Sequence, residues 1–250
     1  MKNIKLEIMY DGRNYFGMQI QPNKPTIQGE IEKALKELFK SEIKLNYAGR
    51  TDRGVSAYKM VANFFVETKI EAEKIALALN PLLPDDIKVL SSESVGEDFN
   101  ARFSAKYKTY MYKFYSSKIT LPLFLSETQI KGELNFTKMK KAAKFLIGTH
   151  DFTSFANPDT LIEDKVRTIK QIKILRENID GVWHYSVFIT GNGFLYNMVR
   201  IIVGTLIQVG EGKIKPEEIK TILKLKDRTK AGKSMPPESL YLVDIKYYKN

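Results

Sequence analysis

The chain has 250 residues, 43% hydrophobic and 28% charged, an ordinary soluble composition with room for one large core or two small ones. It has no cysteine and only two histidines, His150 and His184, which excludes disulfides, thiol nucleophiles and cysteine zinc sites and leaves little for a serine–histidine triad or a multi-histidine metal centre. Forty Lys plus Arg against 29 Asp plus Glu leave +11, with a pI near 9.5; the excess favours a polyanionic partner, nucleic acid first, although a lysine-rich solvated surface has the same composition.

The opening MKNIKLEIMYDG alternates apolar and charged residues, which predicts a strand and not a signal peptide. No apolar run approaches the roughly 20 residues of a membrane span, and the expected compartment is the cytoplasm. Ile27, Ile31, Ala34, Leu35 and Leu38 then recur at helical spacing behind Thr26, an expected N-cap. A strand near 43–48, a loop GRTDRG, a strand near 58–66, a helix near 71–79 and a strand near 87–92 complete a β-α-β-β-α-β order. After a loop at 94–104 the pattern restarts. An aromatic-rich strand is expected near 106–115 and a helix near 137–147, with Met139, Ala142, Ala143 and Leu146 on one side. Strands near 168–175 and 182–190 follow, joined by a turn at 178–181. A helix near 194–209 shows Leu195, Met198, Ile202, Leu206 and Val209 as its stripe, Pro216 opens a short helix, and LYLVDIKYY closes as a strand.

The expected fold class is therefore α+β: two tandem ferredoxin-like units, 1–104 and 105–250, with mainly antiparallel sheets. Facing sheets predict a cleft between the halves, a common setting for a binding site. The same order of elements occurs in RNA-binding RRM domains, but 58–66 lacks their aromatic signature, so base stacking of that kind is not expected.

Within GRTDRG an aspartate stands between two arginines, with a glycine at each end. One reading is a hairpin turn with Gly49 and Gly54 supplying the backbone freedom and Asp52 capping an amide. The other is a reactive group: Arg50 and Arg53 favour the ionised carboxylate, and an ionised, oriented carboxylate suits attack at, or stabilisation of, a sugar carbon.

GRTDRGVSA resembles the catalytic loop of the tRNA pseudouridine synthase A family, usually GRTDAGVHA. YDGRNYFGMQIQ with TIQGEIEKAL is similar to that family's opening motif, and NARFSAKYKTYMY to its central one. GTHDFTSFA, GNGFLYNMVRIIVGTLIQVG and LYLVDIKY resemble its later blocks, in order, over nearly the whole chain. The resemblance implies uridine-to-pseudouridine isomerisation at positions 38, 39 and 40 of the tRNA anticodon stem-loop, by a homodimer, with no metal and no organic cofactor. It implies Asp52 as the catalytic carboxylate and nucleophile, acting at C1′ or through an elimination at C2′. It implies Tyr110 in the active site, to accept the C5 proton or stack on the base, and Arg200 as the cation paired with Asp52, for which Arg50 is a second candidate.

Read without the resemblance, Tyr110 in an aromatic strand is a core residue, Tyr112 shares its face as packing, and Arg200 is a cation in an apolar helix. Arg13, Lys24, Arg53, Arg102 and Lys106 are expected phosphate contacts. Phe16, Gln19 and Asn197 lie in matched motifs and are expected to line the substrate site. His150 is expected to make a structural hydrogen bond. Four positions depart from the family pattern: Arg53 for the usual alanine, Ser56 for histidine, Met18 for tryptophan and Ser239 for glycine. The competing functions are a non-catalytic RNA-binding protein and a synthase acting on another RNA. A two-carboxylate glycosidase is disfavoured, because these motifs offer no second carboxylate.

Overall fold

The structure, a computed structural model, describes residues 1–247. It is a mixed α+β fold with mainly antiparallel strand pairing, in two compact units: residues 1–106 with 241 onward, and 107–240.

In chain order the first unit contains β1 (Lys2–Tyr10), α1 (Ile27–Phe39), β2 (Asn46–Tyr47), β3 (Ser56–Val66), α2 (Ile75–Leu79) and β4 (Ile87–Val95). β1 is the inner strand, antiparallel to β3 on one side and β4 on the other. Its period-2 pattern has a direct result: Ile4, Leu6 and Ile8 are fully buried. α1 starts where the sequence predicts, because the Thr26 hydroxyl accepts a hydrogen bond from the Gly29 N–H; the helix then buries Ile27, Ile31, Ala34 and Leu35. The strand expected at 43–48 shrinks to two residues. The Leu45 N–H donates 2.9 Å to the Glu32 carboxylate of α1 instead of to a strand partner. The helix near 71–79 divides into a 3₁₀ turn, Ala72–Lys74, and the short α2.

The second unit contains β5 (Ala105–Ser116), β6 (Thr128–Ile130), α3 (Phe136–Lys144), β7 (Gly148–Asp151), β8 (Val166–Ile179), β9 (Val182–Gly191), α4 (Met198–Gly210) and α5 (Glu218–Leu225). Its strands run β5-β9-β8-β7, all antiparallel, with β6 added in parallel to β5. The β8–β9 turn needs left-handed backbone at two successive residues, and Asp180 (φ 50°) and Gly181 (φ 85°) supply it, within the expected turn. Met139, Ala142, Ala143 and Leu146 are buried as expected. α4 begins at Met198 and not at 194, because Asn197 sits at φ 61° and interrupts helical geometry just before it. The regular turns of α5 begin two residues after Pro216.

β10 (Leu240–Tyr247) joins the first unit, parallel to β3 at Tyr241–Ser56 and Leu242–Ala57. Tyr248, which the sequence pattern adds to this strand, lies outside the described residues.

Candidate active site

In the first unit the GRTDRG loop rests on the segment that follows β1. That contact is possible only because two residues lack a side chain. A Cβ on Gly12 would lie 2.0 Å from the Val55 carbonyl oxygen, and one on Gly17 (φ 93°) would lie 2.5 Å from that of Thr51. Backbone bonds then join the two segments: Met18 N–H donates to the Thr51 carbonyl (3.1 Å) and Gly54 N–H to that of Tyr15 (3.2 Å). Asp52 opens a tight turn, its carbonyl accepting from Val55 N–H at 3.2 Å. Gly54 at φ 82° is the third residue, where a type II turn needs positive φ. The aspartate is thus a turn residue through its main chain, and it is half-buried.

Side chains fasten the same segments. The Tyr10 hydroxyl, at the end of β1, lies 2.8 Å from the Thr51 hydroxyl, and both residues are buried. Burial raises the Tyr10 phenol well above its ordinary range, although the Thr51 bond opposes this, and it stays protonated. Gly12 N–H donates 2.9 Å to the Ser56 hydroxyl, which in turn reaches Asp11 at 3.5 Å. Arg13 forks onto Asp11, its Nε 2.9 Å from each oxygen, and this pairing holds the Asp11 carboxyl below its ordinary pKa. Tyr15 donates 2.6 Å to Asp86, which ties the same segment to the start of β4.

Around this loop the structure gathers some of the predicted contacts. Arg53 lies 4.4 Å and Lys24 4.6 Å from the ring centre of the half-buried Phe16, so these three form one cation–aromatic group. Arg50 and Gln19 are exposed. Arg13 is engaged by Asp11. Met18 is fully buried, so the departure from tryptophan falls in the core. Arg102 lies on the 96–104 loop, 5.4 Å from the ring centre of its exposed neighbour Phe103. That loop is pinned from beneath: Asn63 Nδ2 donates to Asn3 Oδ1, Asn3 Nδ2 to the Gly96 carbonyl, and Ala101 N–H to Asn63 Oδ1.

In the second unit Tyr110 faces Ile189 across the β5–β9 pair, is 8% exposed, and meets Phe194 edge-on at 5.2 Å. Tyr112 shares its face and is fully buried; its hydroxyl lies 2.6 Å from Thr128 and donates 2.9 Å to the Pro236 carbonyl. Burial pushes its phenol up to about 12, a packing role as expected. Arg200 lies in the first turn of α4. Its Nε donates to the Met235 carbonyl and its Nη1 donates 2.6 Å to Asn197 Oδ1. Asn197, expected to line the substrate site, therefore orients Arg200. The residue range 232–236 lies against α4 because Gly204 and Gly232 lack Cβ atoms: one on Gly204 would meet the Lys233 carbonyl oxygen at 2.0 Å, one on Gly232 the Thr205 nitrogen at 2.5 Å. His150 bonds the Ile147 carbonyl at 3.1 Å, in line with a structural role.

Sequence reasoning missed Tyr10, Thr51 and the 232–236 segment. Among the described residues no group of three or more His, Asp or Glu is placed to hold a metal ion, and no helix is long and apolar enough to cross a membrane.

A family model described as tRNA pseudouridine synthase matches residues 8–104 and 142–248. A protein of Caldicellulosiruptor saccharolyticus named tRNA pseudouridine synthase A is 47% identical over 248 residues, 99% of this chain and all of that protein. Proteins of the same name from Thermoanaerobacter sp. strain X514 and Clostridium acetobutylicum are 47% and 44% identical, again over 99% of this chain and the whole of each relative. Among solved structures, a chain of a Cbf5-Nop10-Gar1 complex is similar at TM-score 0.37 and 12% identity, over 96% of this chain and 58% of that one.

Proposed function

Because the chain belongs to the tRNA pseudouridine synthase family, we propose that it isomerises uridine to pseudouridine at positions 38, 39 and 40 of the tRNA anticodon stem-loop, with Asp52 as the catalytic carboxylate. The reaction must break the N-glycosidic bond, turn the detached uracil and join its C5 to C1′. The target base must first leave its stack. A carboxylate serves this chemistry if it stays ionised and is held rigidly beside the sugar.

The observation that carries the proposal is the setting of Asp52. It begins a glycine-closed turn seated on a second backbone segment, and exposed Arg50 and Arg53 flank it. Positive charge on both sides favours the ionised form. In the same proposal Tyr110 serves the isomerisation by taking the C5 proton or stacking on the base, and its contact with Phe194 fixes the plane of its ring. Arg200, aimed by Asn197 and Met235, is the further cation of the reaction. Lys24, Arg53, Arg102 and Lys106 contact phosphates, with Arg50, Phe16, Gln19 and Asn197 contributing to substrate binding. The protein works in the cytoplasm as a homodimer and needs no cofactor. Its units derive from the ferredoxin-like pattern, supported in the first by the strand order β4-β1-β3 with β2 on the far side of β3.

The test is incubation of the purified protein with unmodified tRNA transcripts and mapping of pseudouridine at single-nucleotide resolution. Product at the three anticodon-stem positions, lost in Asp52→Ala, is expected. Product confined to other sites, or to ribosomal RNA, refutes the substrate assignment; near-wild-type turnover by a folded Asp52→Ala refutes the role of the carboxylate.

A further inference from the structure

We propose that Tyr10 is a positioning residue for the reaction, acting on Asp52 through the hydroxyl of Thr51; the inference rests on the reading of Asp52 as the catalytic carboxylate.

Tyr10 ends β1, the strand held on both sides by β3 and β4, and pairs with Ala57 on one and Ile87 on the other. Its main chain is therefore fixed at the inner part of the sheet. From there its hydroxyl crosses to the catalytic loop and meets Thr51 Oγ1 at 2.8 Å. Tyr10 is 3% and Thr51 6% exposed, so water does not compete freely for either hydroxyl. Both hydroxyls can donate or accept, and losing either one leaves the other buried without this bond.

Thr51 immediately precedes Asp52, and its carbonyl is held separately by Met18 N–H. Both sides of the Thr51 residue are thus pinned, the main chain by the 12–18 segment and the side chain by β1. With Thr51 fixed, the direction in which the next residue leaves the chain is restricted, and Val55 N–H restricts it from the other end of the turn. A carboxylate that must meet one sugar carbon benefits from such a tether, because misplacement by about 1 Å costs on the order of 100-fold in rate. The second buried hydroxyl contact of this segment, Gly12 N–H to the Ser56 hydroxyl, holds the main chain of the segment after β1 and not the residue next to Asp52.

The experiment compares Tyr10→Phe, Thr51→Val, Thr51→Ser and the double variant Tyr10→Phe/Thr51→Val. It measures single-turnover pseudouridine formation at saturating enzyme, tRNA affinity and thermal unfolding, with Asp52→Ala alongside. Tyr10→Phe and Thr51→Val are expected to slow the step by about 10- to 100-fold, with tRNA affinity within about twofold of wild type, since neither side chain reaches the surface. Thr51→Ser keeps the hydroxyl and is expected to recover most of the rate. The double variant is expected to be no slower than the worse single variant, because both remove one bond. A purely structural role predicts instead a lower melting temperature with a normal rate at temperatures where the protein is folded, and that result overturns the inference. So does a serine variant as slow as valine, or losses that multiply in the double variant. If Tyr10→Phe has wild-type rate while Asp52→Ala is dead, only the positioning role falls; if Asp52→Ala is active, the reading of the carboxylate falls and the positioning role with it.

Discussion

Replacing Gly12 by alanine adds one methyl group, and the structure gives that methyl nowhere to go. The new Cβ would lie 2.0 Å from the Val55 carbonyl oxygen and 2.5 Å from its carbon, against an ordinary contact of at least 3.4 Å. Both obstructing atoms are backbone, so no rotamer change relieves the overlap; the loop carrying Asp52 and the segment carrying Gly12 must separate by about 1.4 Å at this point. Three hydrogen bonds span or adjoin the contact: Gly12 N–H to Ser56, Gly54 N–H to Tyr15 and Met18 N–H to Thr51. Overpacking of this kind costs typically about 1–3 kcal/mol, and losing one or two of these bonds adds about 1 kcal/mol each. The expected loss of stability is about 2–5 kcal/mol, with a fall of about 100-fold in single-turnover rate, because a displacement of this size reaches Asp52, the proposed catalytic carboxylate. Urea unfolding measures the first and pseudouridine formation in a tRNA transcript the second. Gly212→Ala is the control: its φ of 79° makes alanine unfavourable, but nothing lies within 4 Å of the added Cβ, so about 1 kcal/mol is lost and the rate is unchanged. A Gly12→Ala protein with wild-type stability and rate refutes the reasoning.

Asp52→Asn is expected to bind tRNA as tightly as wild type or slightly more tightly, with a similar salt slope, yet to form no pseudouridine; much weaker binding at every salt concentration shows instead that the carboxylate holds its own turn together. Tyr110→Phe is expected to slow isomerisation far more than it weakens binding, since the ring remains against Phe194; an equal fall in both makes Tyr110 a binding residue. Arg53→Ala is expected to lower the slope of log affinity against log salt by about one unit, measured by titrating labelled tRNA at several salt concentrations; an unchanged slope removes Arg53 from the phosphate contacts. Burial alone would raise the Asp151 carboxyl, but Lys226 and Thr153 bring it down to about 2; a depressed carboxylate stabilises the fold above its unfolded pKa, so this contribution is present near neutrality and is lost as pH falls from about 4 toward 2. Its size is small because Lys226 is exposed, and Asp151→Asn, followed by urea unfolding at several pH values, is expected to flatten that part of the profile.

Most of the regular elements were legible because their causes are local. Ile4, Leu6 and Ile8 announce β1 by alternation, and Thr26 announces α1 by the one side chain that can satisfy the free amide of Gly29. The failures have identifiable causes. Ile43 and Leu45 are apolar and alternate, as a strand would, yet the Leu45 amide goes to Glu32, a partner 13 residues away that no pattern around 43–48 reveals. β6 and β7, with three and four residues, are too short to show a period. α4 starts late because Asn197 adopts a left-handed backbone, which residues other than glycine rarely do, and the apolar spacing of Leu195 and Met198 runs through it undisturbed.

The candidate site divides along the same line. GRTDRG was legible as a unit because its charges and glycines are contiguous. What holds it was not, since Tyr10 and Thr51 are 41 residues apart and Arg200 and Met235 35 apart. The glycines did leave a trace of these contacts. Gly12, Gly17, Gly204 and Gly232 each stand where a Cβ would collide with backbone, so a glycine in an otherwise well-defined segment marks a place where a second segment approaches closely. That signal gives the position but not the partner. Arg53 shows the complementary case. In the sequence it is a departure from the usual alanine, a charge beside Asp52 and an expected phosphate contact; in the structure it lies over the Phe16 ring that Lys24 also approaches. Two cations drawn to one ring repel each other. Arg53 is exposed and the turn bond runs from Val55 N–H to the Asp52 carbonyl, so the departure adds a positive charge beside Asp52 without removing the bond that closes the turn, and the Arg53→Ala salt titration tests whether that charge meets RNA.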